Sequence, residues 1–242
     1  MEKYKLIDDI YLIDKALWLE KQKILAIADL HVGYEAYLAE EQGILMPKRQ
    51  FEILKKEIGF LINFLQPKKI IINGDLKHEF GKISKQEWKE TLAILDLMLN
   101  KARVILVKGN HDTLLEPIAK RKNLRIVDYY FVEKEKICFM HGHKIFEDII
   151  KKAELLVFGH THPAIVLREG IKAERYKCWL FGKWKRRKVI VMPSFIPYFE
   201  GVDVTSHYFD QPFLKDINSF EVFVIGDKIY KLGKIEDING KE

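Results

Sequence analysis

The chain of 242 residues contains only two cysteines, Cys138 and Cys178, and only seven prolines. Two cysteines cannot form the disulfide framework of a small secreted domain. The opening MEKYKLIDD lacks the apolar core of a signal peptide. The longest uncharged apolar stretches, residues 58–65 and 189–199, fall well short of the roughly 20 residues that span a bilayer. We therefore expect a cytoplasmic protein with no membrane anchor.

Apolar residues make up 48% of the chain and charged residues 31%, which excludes the low hydrophobicity of a disordered protein. No internal repeat or low-complexity linker divides the sequence. Because α/β folds commonly exceed 200 residues as one unit, we expect a single domain over residues 1–242.

The net charge of +6 is concentrated in one segment. Residues 168–188 contain nine basic and two acidic side chains and carry +7, so the rest of the chain carries −1. The composition therefore indicates a near-neutral body with one strongly basic segment.

Strands and helices alternate through the first two thirds of the chain. Apolar or alternating runs predict strands over residues 9–14, 16–20, 24–28, 69–72, 103–107, 124–132, 137–140 and 155–158. Spacings of three and four predict helices over residues 47–65, after the capping box Ser84–Glu87, over 113–120 and over 146–153. Strands over 164–168, 177–181 and 188–192 follow, with a hairpin of 220–225 and 228–232 across Gly226-Asp227. The alternation favours the α/β (α+β) class.

Five of the predicted strands lead directly into short clusters of metal-ligating residues. The clusters are Asp29-Leu-His31, Gly74-Asp75-Leu-Lys-His78, Gly109-Asn110-His111-Asp112, His141-Gly-His143 and Gly159-His160-Thr-His162. Seven of the eight histidines lie in them. Since the carboxyl ends of strands in an α/β sheet converge on one crevice, these residues should meet in space.

The donor types indicate a metal centre. Carboxylate, amide oxygen and imidazole without thiolate suit Mn²⁺, Fe or Zn²⁺. The clusters hold more donors than the roughly four of a single site, so we expect two divalent metal ions, most simply Mn²⁺, with a bridging carboxylate. Such a pair hydrolyses phosphoesters. The alternative is that these residues are structural, since a single cluster of this kind could be only a turn and a helix cap. For five clusters at strand ends, each buried polar group without a partner would cost roughly 1–3 kcal/mol, which disfavours that alternative.

The order of these motifs resembles the calcineurin-like metallophosphoesterase superfamily over residues 29–162. The resemblance implies a four-layer metallophosphoesterase sandwich, two mixed β-sheets flanked by helices, around a dinuclear site. It implies one metal held by Asp29, His31, Asp75 and His162, and another held by Asp75, Asn110, His141 and His160. Asp75 would bridge the two ions.

The resemblance also implies catalytic residues. His111 would contact the scissile phosphate and the leaving group, with Asp112 as its orienting partner. A histidine three residues after the bridging aspartate, here His78, is found in the SbcD branch of DNA-processing nucleases and would be a second catalytic histidine. The alternative for His78 is a turn residue that points to solvent. His143 matches no ligand position, and His207 is expected at the surface.

The chain is most similar to small SbcD-related archaeal phosphoesterases and to the DNA-ligase-associated PdeM type. No segment of residues 1–242 matches the C-terminal extension with which SbcD docks its ATPase, so the resemblance does not extend to docking of that partner. The resemblance implies a phosphodiesterase, specifically a DNA nuclease, that works by in-line attack of a metal-bridging hydroxide. A small-molecule phosphatase or nucleotide phosphodiesterase would need the same metals and no basic surface. A non-catalytic interaction module would have lost ligands, and none is missing.

The basic segment predicts a β-hairpin at about residues 164–192 that interleaves cations with aromatic residues. This mixture suits phosphate contacts and base stacking. The alternative is a hairpin with one solvated lysine face and one aromatic face turned to the core. The densest cations are expected to bind nucleic acid: Lys183, Lys185, Arg186, Arg187 and Lys188.

Overall fold

The computed structural model describes residues 2–44, 47–80, 83–206, 209 and 211–239. Within these residues the chain forms one sheet of seven strands, one of nine strands and six α-helices. His207, which we expect at the surface, lies outside the described residues.

The first sheet is an antiparallel meander that continues as a parallel sheet. Its strands, in spatial order, are β1 (Tyr4–Ile7), β2 (Ile10–Ile13), β3 (Ala16–Leu19), β4 (Ile24–Ile27), β5 (Lys69–Asn73), β6 (Arg103–Val107) and β7 (Arg125–Val127). Strands β4 to β7 are parallel neighbours. The apolar runs of β4 and β5 are buried almost throughout, as parallel strands covered on both faces require.

The second sheet holds the remaining strands. They are β8 (Tyr129–Val132), β9 (Ile137–Met140), β10 (Leu155–Phe158), β11 (Pro163–Glu169), β12 (Lys172–Trp184), β13 (Arg187–Val191), β14 (Val202–Asp203), β15 (Glu221–Ile225) and β16 (Ile229–Lys234). Strands β9, β10 and β13 are parallel neighbours. The long strand β12 pairs with β11 through its first half and with β13 and β15 through its second half.

Helices cover the outer face of each sheet. They are α1 (Tyr34–Glu41), α2 (Gln50–Leu65), α3 (Lys85–Leu99), α4 (Glu116–Lys122), α5 (Glu147–Lys152) and α6 (Ile235–Asn239), with a 3-10 turn at Pro212–Leu214. Leu54 of α2 and Leu95 of α3 share a buried cluster with Ile70 of β5. Ile149 of α5 and Phe213 pack in a second cluster on the other sheet. A third cluster, which includes Phe139, joins the two sheets, so the four-layer sandwich is confirmed.

Several predicted boundaries are wrong, each for a local reason. Helix α2 begins at Gln50 rather than Pro47 because the Glu35 carboxylate accepts hydrogen bonds from the Arg49 and Gln50 amides. The single strand predicted over 124–132 is two strands, because the chain passes from the first sheet to the second at Asp128. Strand β1 and helix α1 were not predicted.

The C-terminal hairpin also differs from its prediction. Ile225 pairs with Ile229, so three residues rather than two connect β15 and β16. The Gly226 amide donates to the Lys228 carbonyl at 2.9 Å and closes the turn.

None of the helices in the described ranges has the length and apolar character needed to cross a bilayer.

Replacing Phe139 by alanine tests the layer between the sheets. The side chain is fully buried there, so Phe139→Ala should lower the free energy of unfolding by about 3–5 kcal/mol. Phe60→Ala removes the same group from α2, where it is 49% exposed, and should cost less than about 1 kcal/mol. Urea unfolding followed by circular dichroism measures both, and equal losses would contradict the assignment of Phe139 to the core.

Candidate metal centre

The five clusters meet at one rim, where strands of both sheets end. Residues of the first sheet supply Asp29 and His31 after β4, Asp75 after β5 and Asn110 after β6. The second sheet supplies His141 after β9, and His160 and His162 after β10. The residues expected as ligands fall into two groups, Asp29 with His31 and His162, and Asp75 with His141 and His160. A third group of the same compactness joins His31 to His78 and His111. Within each group the atoms lie within 4.8 Å of one another.

Asp75 lies between the two groups. Its Oδ2 is 3.4 Å from His31 Nε2 and 3.2 Å from His141 Nε2. Its Oδ1 accepts a hydrogen bond from the His111 amide at 2.9 Å. One carboxylate oxygen therefore faces a histidine from each group, an arrangement that suits a ligand shared by two metal ions.

Asp29 and Asn110 complete the two ends of the cluster. Asp29 Oδ1 is 3.5 Å from His162 Nε2, and the Asp29 carboxylate accepts a hydrogen bond from the His160 amide. Asn110 Oδ1 is 3.0 Å from His141 Nε2. The amide oxygen of Asn110 therefore faces the same group as Asp75.

The donor set fits two divalent cations. His31 Nε2 and His162 Nε2 are buried and have no hydrogen-bond partner among the described residues. Leaving such a nitrogen unsatisfied costs roughly 1–3 kcal/mol. His160 Nδ1 lies 3.1 Å from His141 Nε2. The two ring nitrogens therefore point toward each other, and not toward solvent, as two ligands of one metal ion would. Oxygen and imidazole donors with no thiolate suit Mn²⁺, Fe or Zn²⁺.

The ligands stand on a strained backbone. Five of them adopt the left-handed region, with φ of 55° at Asp29, 44° at His31, 48° at Asp75, 67° at His160 and 49° at His162. Each such residue costs of order 1–3 kcal/mol unless its surroundings impose the conformation. Here backbone hydrogen bonds tie the loops together: the Asp29 amide donates to the Gly74 carbonyl and the His31 amide to the Asp75 carbonyl. Strain concentrated at these residues is typical of a functional site.

Two glycines make the close approach of the loops possible. A Cβ on Gly74, whose φ is +91°, would lie 2.0 Å from His141 Nδ1. A Cβ on Gly109 would lie 2.1 Å from Asp75 Oδ1. Any side chain at either position would therefore displace a ligand.

Burial and charge set the protonation of the cluster. Burial, together with the neighbouring His162, holds the pKa of His31 well below its usual value. Burial and the charge of His141 lower the pKa of His160 to about 4. Burial also disfavours the charged form of His141, but Asp75, Asp29 and the Asn73 carbonyl outweigh it and raise its pKa to about 9. Without metal, His141 therefore carries the proton that offsets the carboxylates.

His78 and His111 lie beside the first ligand group. His78 Nδ1 is 3.1 Å from His31 Nδ1, and the His78 ring packs edge-on against Tyr34 and Tyr37. The His78 and His111 rings stack with centroids 5.2 Å apart. Burial and His111 lower the pKa of His78 to about 4. The ring of His78 is therefore turned into the site and away from open solvent.

Asp112 is held between two loops of the site. Its carboxylate accepts hydrogen bonds from the Leu76 amide at 3.0 Å and the Gly109 amide at 2.9 Å, and so braces the two loops that carry Asp75 and Asn110. Burial and the charge of Asp75 raise its pKa to about 7. His111 Nδ1 instead faces the carbonyl of His78. The Asp112 side chain is held by these two amides, and its role as orienting partner of His111 stays a prediction.

Two supporting residues escaped the sequence analysis. Glu87 Oε1 accepts hydrogen bonds from the amides of His78 and Glu79 at 2.9 and 3.0 Å. The Ser84 half of the predicted capping box is confirmed, since Ser84 Oγ accepts a hydrogen bond from the Glu87 amide. The Glu87 carboxylate instead binds the loop that carries His78. Gln50 Nε2 donates to the His31 carbonyl at 2.8 Å. Gln50 and Glu87 are polar residues at buried positions of α2 and α3. A polar residue on the apolar face of a predicted helix is the sequence signal that could have identified them.

The basic turn between β12 and β13 is not brought to the metal centre. Lys188 pairs with Leu155 at the start of β10, whereas the ligands follow the end of that strand. Four residues of strand span roughly 13 Å. Lys185 Nζ lies 2.6 Å from a Glu147 carboxylate oxygen, and Arg187 donates to the Ile150 and Lys151 carbonyls at the end of α5. Nucleic-acid binding by Lys183, Lys185, Arg186, Arg187 and Lys188 stays a prediction.

His143 lies beside the second ligand group but does not join it. Its ring centroid is 5.2 Å from that of His141 and 6.1 Å from that of His160. Neither ligand group includes it.

The chain is similar to known proteins in its sequence family and in its fold. The family model described as calcineurin-like phosphoesterase matches residues 22–227. The crystal structure of the nuclease MPE from Pseudomonas putida shares the fold, with a TM-score of 0.67 and 20% identity over 92% of this chain and 94% of that chain. Among curated proteins, no sequence matches this chain significantly.

Two further solved structures match with lower scores. The phosphoesterase Yfce from E. coli has a TM-score of 0.40 and 14% identity over 87% of this chain and 98% of that chain. The zinc complex of Vps29 from Entamoeba histolytica has a TM-score of 0.37 and 17% identity over 87% and 98%.

Metal binding should displace a proton from His141. At pH 8 this residue is mostly protonated without metal, because its pKa is about 9, whereas His160, with a pKa of about 4, is already neutral. Saturation with Mn²⁺ at pH 8 should therefore release about one proton per chain from His141, and this contribution should disappear above about pH 10. Calorimetric titration in two buffers of different ionisation enthalpy measures the number.

Asp75→Asn is the matched control for this titration. It removes the charge that raises the pKa of His141, so both the released proton and much of the affinity should be lost. Saturation of the wild-type protein at pH 8 with no proton release would contradict the proposed ligand role of His141.

Proposed function

Because the chain belongs to the calcineurin-like phosphoesterase family, we propose that this hydrolase of phosphoester bonds is a Mn²⁺-dependent phosphodiesterase that cleaves DNA. The observation that carries the metal-dependent chemistry is the position of Asp75, whose Oδ2 faces a histidine of each ligand group. Two divalent cations held there would supply Lewis-acid activation of water and of the phosphoryl oxygens. Fe and Zn²⁺ suit the same donors.

The proposed ligands fall into the two sets that the sequence motifs imply. Asp29, His31 and His162 form one group, and His141 and His160 form the other with Asp75 between them. Asn110 adds an amide oxygen beside His141. All seven side chains lie at the rim, which supports a catalytic protein over a non-catalytic interaction module.

His111 is proposed to exchange a proton with the leaving oxygen. A carbonyl can only accept, so the contact between His111 Nδ1 and the His78 carbonyl fixes a proton on Nδ1. The other ring nitrogen, Nε2, is then the atom that can carry a second proton to the leaving group. The carbonyl thus sets the tautomer of His111, the role that the sequence analysis gave to Asp112.

His78 is proposed to act as a neutral hydrogen-bond donor beside His111. With a pKa of about 4 its ring is uncharged at pH 7 and bears one N–H. Because His78 Nδ1 faces His31, the remaining nitrogen is available to an oxygen of the substrate. Glu87 holds the loop through the His78 and Glu79 amides.

A DNA substrate and membership of the SbcD-related branch rest on two supports. His78 follows the bridging aspartate at the spacing found in that branch. The nuclease from Pseudomonas putida shares the fold over 92% of this chain, at 20% sequence identity. This likeness supports the fold on which the proposed nuclease site is built. A cytoplasmic location, a single domain and the absence of membrane partners remain parts of this proposal.

The activity test uses bis-p-nitrophenyl phosphate and single-stranded DNA with added Mn²⁺. Both should be hydrolysed, and Asp75→Asn should lower kcat by more than about 100-fold because it removes the bridging ligand. His111→Ala should lower kcat by roughly 10²–10⁴-fold, the usual contribution of a positioned acid or base. The His111→Ala variant should still release the His141 proton when Mn²⁺ binds. Retained proton release with lower kcat would show that the variant binds metal but has lost a catalytic group.

Two outcomes would overturn parts of the proposal. Hydrolysis that survives both chelation and Asp75→Asn would refute the metal-dependent mechanism. Efficient turnover of monoesters or cyclic nucleotides with no cleavage of DNA at any salt concentration would assign the site to a small-molecule phosphatase or nucleotide phosphodiesterase.

A further inference from the structure

A two-stranded hairpin projects beyond the metal end of the second sheet. Strand β11 starts at Pro163, directly after His162, and pairs with β12 as far as Glu169 and Lys172. Only the first two residues of β11 also pair with β14, and β15 joins β12 only from Cys178 onward. Within the described residues, the hairpin from 166 to 175 therefore has no other strand beside it. We call this part the arm.

Strand alternation places both arginines of the arm on one face. Val166 lies opposite Arg175, and Arg168 lies opposite Ala173. Residues directly opposite in an antiparallel pair, and those two further along, share a face. Arg168 and Arg175 therefore lie on the same side, which we call the arginine face.

The acidic residues of the arm lie on the other face. Glu174 lies opposite Leu167, and Glu169 lies opposite Lys172. Each glutamate is next to an arginine in the sequence, so strand alternation turns it to the opposite face. The Tyr176 hydroxyl donates to the Glu174 carboxylate, as expected for neighbours on that side. The arm as a whole carries a net charge of only +1. The alternation places the two arginines on one face and the carboxylates on the other, and Glu174 reaches the edge of the groove that the arginines line.

The two arginines have no ionic partner inside the protein. Both are exposed, and no carboxylate oxygen of the described residues lies within 4.0 Å of either guanidinium. Arg175 Nη1 donates one hydrogen bond, to the Gly201 carbonyl at 3.3 Å. An open groove of about 690 Å³ runs along both arginines, and Glu174, Tyr176 and Glu200 also line it.

The groove reaches the metal centre through His162. Gly201 packs so closely that a Cβ there would lie 2.4 Å from the His162 carbonyl oxygen. The Phe199 ring stands edge-on to the His162 ring, with centroids 5.5 Å apart. From Pro163 to Arg168 the strand covers about 17 Å, a length of roughly five stacked nucleotides.

We propose that the arginine face, with Phe199 beside His162, binds the phosphate backbone and bases of a single-stranded polynucleotide and leads it to the metal centre. This inference rests on the proposed nuclease function and names the surface that its substrate uses. Cations without internal partners beside aromatic rings form the usual surface for a single strand. The basic turn of residues 183–188 lies at the other end of the sheet and uses Lys185 and Arg187 in internal contacts.

Two charge-matched variants distinguish the surfaces. The arm variant carries Arg168→Ala and Arg175→Ala, and the turn variant carries Lys183→Ala and Arg186→Ala. Binding of a fluorescent single-stranded 20-mer is measured by anisotropy in EDTA over a salt series, and hydrolysis of bis-p-nitrophenyl phosphate is measured with Mn²⁺. Arg175→Lys keeps the positive charge but removes the guanidinium that donates to the Gly201 carbonyl. It therefore separates the effect of charge from the effect of this hydrogen bond.

The arm variant should bind the strand at least about tenfold more weakly, and the slope of log K against log salt should become shallower by about 1.4, the value for two lost phosphate contacts. The turn variant should bind within about twofold of the wild-type protein. Both variants should hydrolyse the small diester at the wild-type rate. Arg175→Lys should retain most of the affinity.

Three results would overturn the inference. Unchanged binding by the arm variant would refute it while leaving the nuclease proposal intact, provided that the wild-type protein cleaves DNA. A loss confined to the turn variant would assign the polynucleotide to the opposite end of the sheet. Loss of small-diester hydrolysis in the arm variant would make the arm a structural support of His162. Failure of the wild-type protein to cleave DNA at all would instead refute the proposed function.

Discussion

Two carboxylates are buried where the two sheets meet, and the loops, helices and histidines around them are arranged to hold them there. Asp29 is fully buried and Asp75 is 1% exposed. Ionised groups so far from water are stable only with opposite charge or several donors around them. Histidines from both sheets surround the two carboxylates. Without metal, His141 supplies positive charge beside them by remaining protonated, because they raise its pKa to about 9. Divalent cations would meet the same need while leaving every imidazole neutral.

The surrounding protein holds this unfavourable arrangement in place. Helix α2 contributes Gln50, which supports the His31 carbonyl, and helix α3 contributes Glu87, which fixes the loop of His78. Asp112 joins the loops that follow β5 and β6. Left-handed backbone at five ligands would relax if the loops were free, so these buried polar contacts position the site as well as stabilise the fold.

The metal centre was predictable because its residues follow apolar strands directly, and strand topology brings strand ends together. The strands themselves were visible as short apolar runs, as in residues 103–107 and 155–158. Other features depend on tertiary partners that a local pattern does not contain. The break at Asp128 separates two sheets, the partners of Asp112 are distant amides, and β12 extends over 13 residues because three other strands pair with it. That extension divides the basic segment between opposite ends of the sheet, which its charge alone could not reveal.

The central claim is that Asp75 joins two cation sites. Crystals grown with Mn²⁺ and measured at the manganese absorption edge test it most directly. Two anomalous peaks about 3.5–4 Å apart are expected, with the Asp75 carboxylate between them. Asn110, His141 and His160 should surround one peak, and Asp29, His31 and His162 the other. A single peak, or two peaks that do not share Asp75, would contradict it.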